Sequence, residues 1–167
     1  LEFRTYSHPA LDSPEGGCET ALMQAEDRDP ERPGEAPLDA LFAAARAVRE
    51  RAHAPYSRFR VGAALSDERG RIHAGCNVEN ASYPVGTCAE AGAIAAMVAA
   101  GGTRIRAILV LGDGSGPVTP CGACRQRIRE FAEAGTPVHA AGPDGVLASF
   151  TLEALLPASF GPELLGG

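Results

Sequence analysis

The stretch "PVHAAGPDGVLASF" (residues 137–150) decides the fold. Its two ends, "PVHAA" and "GVLASF", read as short strands, and the turn "GPDG" (142–145), whose last glycine opens the second strand, joins them. Parallel strands need a crossover of a dozen or more residues, so a four-residue turn forces these two to run antiparallel. Working back along the chain, Gly135 stops a helix that runs from Cys121 to about Ala134. "IRAILVLG" (105–112) is a continuous apolar run and is expected to form a buried central strand. "CAEAGAIAAMVAA" (88–100) consists of good helix formers and ends at Gly101-Gly102. "RVGAALSD" (60–67) and "RIHAGCNV" (71–78), joined by the turn "DERG", predict an antiparallel hairpin. Before it, Leu38, Leu41, Phe42, Ala45 and Val48 fall on one helical face, with Pro55 expected to stop that segment after Ala54. The order helix–strand–strand–helix–strand–helix–strand–strand predicts an α/β protein. Its form is a three-layer α/β/α arrangement around a mixed five-stranded sheet whose last two strands are antiparallel.

Charge divides the chain at residue 36. Residues 1–36 hold nine of the 21 acids and three of the 15 basic residues, all arginine, and the remainder balances at twelve of each. The folded part is therefore not a basic body, which argues against a long nucleic-acid partner, whose affinity comes largely from phosphate neutralisation. The acidic, Pro- and Gly-containing residues 1–36 are expected to be a disordered extension, with 37–167 as the folded domain. The chain opens on Leu1 and its first methionine is Met23, so residues 1–22 are expected to be vector-derived, and Cys18 is expected to be an uninvolved thiol. No run of 18 apolar residues and no signal-like start appear, so neither a membrane partner nor export is expected and a cytoplasmic location is.

Two motifs carry chemistry. "TCAE" puts Cys88 and Glu90 at the start of one helix, and "PCGAC" puts Cys121 and Cys124 at the start of another. If both helices begin at one edge of the sheet, three cysteines converge. Residues i and i+3 on a helix have Cβ atoms about 5–6 Å apart, and two thiolates on one tetrahedral zinc sit roughly 3.8 Å apart. Cys121 and Cys124 can close that gap by rotamer choice, with Cys88 as third donor. Three protein ligands leave one position for water, the mark of a catalytic zinc. Glu90 shares the site only if it lies beyond the helix end, because residues i and i+2 do not face each other. Free N–H groups at such an end stabilise thiolates.

Other readings stay open at this level. A non-enzymatic zinc module would need a fourth ligand from His73, His139 or Cys76, none of them at usual zinc spacing. A dithiol redox protein would use Cys121 and Cys124 alone.

With these residues in hand, the sequence resembles the small, all-cysteine, zinc-dependent cytidine deaminases. The matching motifs are "APYSRFRVGAAL" (54–65), "GCNVENASYP" (75–84), "TCAE" (87–90), "PCGACRQ" (120–126) and "LLPASFGP" (155–162), in order over roughly residues 38–165. The resemblance implies one Zn²⁺ per subunit on Cys88, Cys121 and Cys124, a zinc-bound hydroxide, and Glu90 as proton shuttle. The reaction would convert cytidine and deoxycytidine to uridine and deoxyuridine plus ammonia, in pyrimidine salvage. It also implies substrate contacts from Phe59, Asn77, Glu79 and Ala89, with Asn77 and Glu79 on the ribose hydroxyls. Ordinary loop capping is the plainer reading of that pair, and strand packing of Phe59. Tyr83 and Phe160 match positions that reach a neighbouring subunit's pocket in a homotetramer, although from the residues alone each reads as a packed aromatic.

A related aminonucleoside such as blasticidin S is the alternative substrate. Nucleic-acid editors are disfavoured, since their last strands are joined by a helix. One departure stands out: many relatives have an arginine after the motif glutamate, where this chain has Ala91. Three thiolates and Zn²⁺ carry a net charge of −1, and the two helix starts or Arg125 are the candidates to offset it.

Overall fold

In a computed structural model, residues 36–114 and 116–165 are described. The expectations for residues 1–35, including Cys18 and the start at Met23, lie outside these residues. The five strands β1 (Gly62–Asp67), β2 (Ile72–Cys76), β3 (Ile105–Leu111), β4 (Pro137–Gly142) and β5 (Gly145–Thr151) form one sheet in the order β2-β1-β3-β4-β5. β1 is antiparallel to both β2 and β3, β3 and β4 are parallel, and β4 and β5 are antiparallel. The expected mixed sheet with an antiparallel final pair is therefore present, with β3 at its centre.

Alternation along the central strands divides the core between two faces. Ala64, Ala107, Leu109 and Leu111 pack with Leu41 and Ala45 of α1 (Leu38–Arg49). Ala63, Leu65, Ile108 and Val110 pack instead with Ala93 and Met97 of α2 (Ala89–Ala99), Ile128 of α3 (Gly122–Phe131) and Leu152 of α4 (Leu152–Leu155). Helices thus cover both faces. Leu41 is 1% exposed, and its truncation to alanine would cost about 2–5 kcal/mol.

Local chemistry sets the element ends. α1 stops at Arg49, earlier than Pro55 suggested, because residues 50–57 leave it in turns and His53 pairs with Val78. α2 ends in a Schellman motif: Gly101, at φ +77°, donates to Val98 O and Gly102 to Met97 O. α3 ends at Phe131 and not near Ala134. The short α4 and two 3₁₀ turns (Tyr83–Val85 and Pro162–Leu165) add to the expected elements. At the β1–β2 turn the buried Asp67 accepts from Arg69 N, Arg71 N, Arg71 Nε and His73 Nε2. Burial alone would raise this carboxyl, but these donors outweigh it and hold the group well below the usual carboxylate range. Arg71 also reaches Ala100 O, tying the hairpin to the end of α2. Among the described residues, no helix is long and apolar enough to cross a membrane.

Candidate metal centre

β2 and β3 both run antiparallel to β1, which lies between them, so they run parallel to each other. Their C-terminal ends therefore share one edge of the sheet. α2 follows β2 and α3 follows β3, and both pack on the same face. Their N-termini consequently meet above that edge.

Cys88 is the N-cap of α2 and Cys121 the N-cap of α3, both in extended backbone geometry and neither making a side-chain cap bond. A serine or aspartate at such a position would turn its oxygen back onto the helix's own N–H groups. The cysteine sulfurs instead face each other at 3.9 Å. Cys124, buried in the first turn of α3, completes the group, and all three sulfurs lie within 4.8 Å of one another.

The donor chemistry fits a divalent cation. Burial pushes the Cys88 thiol up, and the charges of Cys121 and Glu90 add to that rise. Burial likewise raises Cys124, with Glu90 and Cys88 contributing. Cys121 is also opposed by burial, but hydrogen bonds from the Cys124 N–H and from the neighbouring thiols bring it below its ordinary value. Protein groups alone thus ease ionisation of one thiol of the three and oppose it at the other two. A cation held by Cys88, Cys121 and Cys124 would supply the charge that favours all three as thiolates, the form in which cysteine ligates zinc.

Glu90 sits two residues after Cys88, 4% exposed. Burial raises its carboxyl pKa, while its own backbone N–H, the Cys124 thiol and the charge of Arg127 pull the other way. The first-turn position resolves the i, i+2 difficulty, since Cys88 caps the helix and Glu90 lies just inside it. Arg127 was not singled out in the sequence. Its signal is the single helical turn separating it from Cys124. The candidate fourth ligands lie elsewhere: His73 contacts Asp67, His139 contacts Ser149 across the β4–β5 pair, and Cys76 is on β2 outside the cysteine trio.

The loop residues divide into two groups. Asn77 accepts from Val61 N at 2.9 Å and donates to Phe59 O at 2.9 Å. Glu79 accepts from Tyr56 N, Ser57 N and the Ser57 hydroxyl. The Ser57 hydroxyl leads in holding its carboxyl below the ordinary range, against burial, with the two backbone N–H groups and His53 assisting. Both side chains thus brace residues 56–61, the plainer reading of the pair. Each retains capacity, since a carboxylate offers about four acceptor sites and an amide about two of each kind. Ala89 is buried at the start of α2. The aromatics differ from the packed expectation. Phe59 is 40% exposed and lies outside any strand, Tyr83 is 75% exposed and Phe160 56%. Tyr83 leans on Tyr56, with ring centroids 5.8 Å apart, a contact the sequence did not suggest.

Comparison with known proteins agrees with this geometry. Residues 37–140 match the family model "Cytidine and deoxycytidylate deaminase zinc-binding region". A cytidine deaminase of Sporosarcina psychrophila is 43% identical over 126 residues, 75% of this chain and 93% of the relative. One from Halalkalibacterium halodurans is 43% identical over 116 residues, 70% of this chain and 88% of the relative. Among solved structures, the cytidine deaminase from Burkholderia pseudomallei superposes with a TM-score of 0.71 at 44% identity, covering 74% of this chain and 99% of that one. That from Mycobacterium tuberculosis gives 0.66 at 35% identity, covering 76% and 99%. Agreement this extended, over nearly the whole length of each relative and including the cysteine-bearing helix starts, places the chain in the cytidine and deoxycytidylate deaminase family.

Proposed function

We propose that the chain hydrolyses cytidine and deoxycytidine to uridine and deoxyuridine with release of ammonia. The observation that carries this reading is the trio of sulfurs within 4.8 Å at two helix starts, with the buried Glu90 beside it. Zinc on Cys88, Cys121 and Cys124 would supply the Lewis acid that makes water nucleophilic near neutral pH. Glu90, raised by burial, is suited to take a proton from that water, deliver it to pyrimidine N3 as the oxygen adds at C4, and then protonate the departing amine. Water is consumed and ammonia is lost, so atoms balance without a redox partner.

Substrate contacts follow from the loops. Asn77 and Glu79 use their remaining donor and acceptor capacity on the ribose hydroxyls. The ionised Glu79 repels a 5′-phosphate, which favours a nucleoside over a nucleotide. Phe59 and Ala89 contact the base. The exposed Tyr83 and Phe160 belong to a shared pocket in a homotetramer, with the enzyme serving pyrimidine salvage in the cytoplasm.

The test is loss of pyrimidine absorbance with cytidine, deoxycytidine and CMP, using Glu90→Gln as control. Turnover of the two nucleosides is expected, with CMP poor and kcat of Glu90→Gln lower by about 10²–10⁴-fold with zinc retained. Full activity in a metal-free sample, or equal turnover of CMP, would overturn the reading.

A further inference from the structure

Arg125 follows Cys124 directly and was a candidate to offset the thiolate charge. Its geometry indicates a different task. Nε donates to Pro120 O at 2.8 Å, Nη1 to Leu155 O at 2.7 Å and Nη2 to Thr119 Oγ1 at 3.1 Å. All three partners are neutral oxygens, and Arg125 has no carboxylate partner among the described residues. The fork of the guanidinium points back across the first turn of α3 at the two residues that precede Cys121.

Earlier in that loop Asp113 pairs with Arg49 and accepts from Arg60 N, and Val118 packs on the core, but backbone hydrogen bonding there is sparse. Among the described residues of 112–120, the one backbone–backbone hydrogen bond outside strands is Gly112 N to Ala141 O, at the far end of the loop. Pro120 is fully buried and has no N–H, so its carbonyl is its only backbone hydrogen-bonding group. Leu155 is the last residue of α4, where helix carbonyls lack intrahelical partners. One side chain therefore satisfies a buried carbonyl next to Cys121, orders the threonine before it, and ties both to α4.

We propose that Arg125 is a positioning residue for the metal centre, fixing where the Cys121 sulfur stands relative to Cys88 and Cys124 by its three-way fork and not by its charge. This deepens the metal-site reading above and rests on it. A lysine keeps the charge but presents one nitrogen on a flexible stem, so it cannot span three oxygens in a fixed plane. Charge and geometry thus predict different outcomes for one substitution.

The experiment measures zinc affinity by competition with a chromogenic chelator for the unaltered protein, Arg125→Lys and Arg125→Gln. The visible spectrum of each cobalt(II)-loaded protein reports the thiolate geometry, and melting of the metal-free proteins reports the fold. Arg125→Lys and Arg125→Gln are both expected to weaken zinc by about 10–100-fold, the usual effect of losing a residue that orients a ligand, and to alter the cobalt spectrum. Zinc binding by Arg125→Lys at full strength, with Arg125→Gln impaired, would assign the role to charge and overturn the proposal. Unchanged binding in both would overturn it as well. Failure of the unaltered protein to bind zinc would instead sink the metal-site reading. Should the arginine variants not fold, Thr119→Val decides: it removes one arm of the fork, and a few-fold loss of affinity with an altered cobalt spectrum supports the proposal, while no change in either overturns it.

Discussion

The sulfur of Cys88, capping α2, stands 3.9 Å from the sulfur of Cys121, capping α3, although 33 residues separate them in the chain. That distance is close to the roughly 3.8 Å expected of two thiolates on one tetrahedral zinc. The folded chain thus presents a site for an ion that would draw two packing helices together at their N-termini.

Metal removal should therefore destabilise the domain. A ligand that binds only the folded state stabilises it by about 2.7 kcal/mol at 100 times its Kd. For a chain of this size that is roughly 5–10 °C in Tm. Chelation should lower Tm by that order, zinc should restore it, and Cys121→Ser should melt at a temperature that zinc no longer changes. A Tm indifferent to zinc in the unaltered protein would count against the centre.

Acid should weaken the fold through His139. Burial lowers this imidazole to about 4, against roughly 6.5 in an unfolded chain. Between those values the unfolded state holds a proton that the folded state lacks. Stability is therefore fully present above about pH 6.5 and is lost as pH falls toward 4, by roughly 3 kcal/mol once both values are passed. Urea denaturation from pH 7 to pH 4 should show a shallower decline for His139→Gln than for the unaltered protein. Parallel declines would show that the imidazole does not drive the effect.

The height of α2 above the sheet should be sensitive to Gly75 and tolerant at Gly92. A Cβ on Gly75 would lie 2.6 Å from Ala89 O and 2.6 Å from Gly92 C, both backbone atoms of α2 or its neighbours on the helix. A Cβ on Gly92 meets nothing closer than Gly75 Cα at 3.4 Å. Gly75→Ala is expected to cost about 1–3 kcal/mol and to lower kcat, because the helix that must shift carries Glu90. Gly92→Ala should stay within about 1 kcal/mol, the added crowding being offset by better helix propensity. Chemical denaturation and steady-state kinetics on the two variants check this contrast.

The brace at Asn77 predicts a fourth stability effect. Asn77→Asp keeps the acceptor for Val61 N but sets a carboxylate against the carbonyl of Phe59, where the amide now donates. A loss of about 1–3 kcal/mol is expected, together with a higher KM as residues 59–61 loosen. Unchanged stability with a raised KM would leave Asn77 with a purely substrate-facing role.

Much of this molecule was readable from the chain alone. The four-residue turn 142–145 required an antiparallel pair, the apolar run at 105–111 required a central strand, and "TCAE" with "PCGAC" named the three sulfurs. Each is a local property: turn length limits connection, periodicity limits burial, and cysteine spacing limits ligation. Folding decided what depends on partners far apart in sequence. Helix starts meet because β2 and β3 run parallel on either side of β1. The fork of Arg125 reaches Leu155, 30 residues away, which turns a residue that reads as a charge into a tether. Tyr83 and Phe160 stand exposed because no described segment covers them. Hydrogen-bond direction and helix convergence are set by the three-dimensional path of the chain, and such long-range pairings leave no periodicity for the sequence to display.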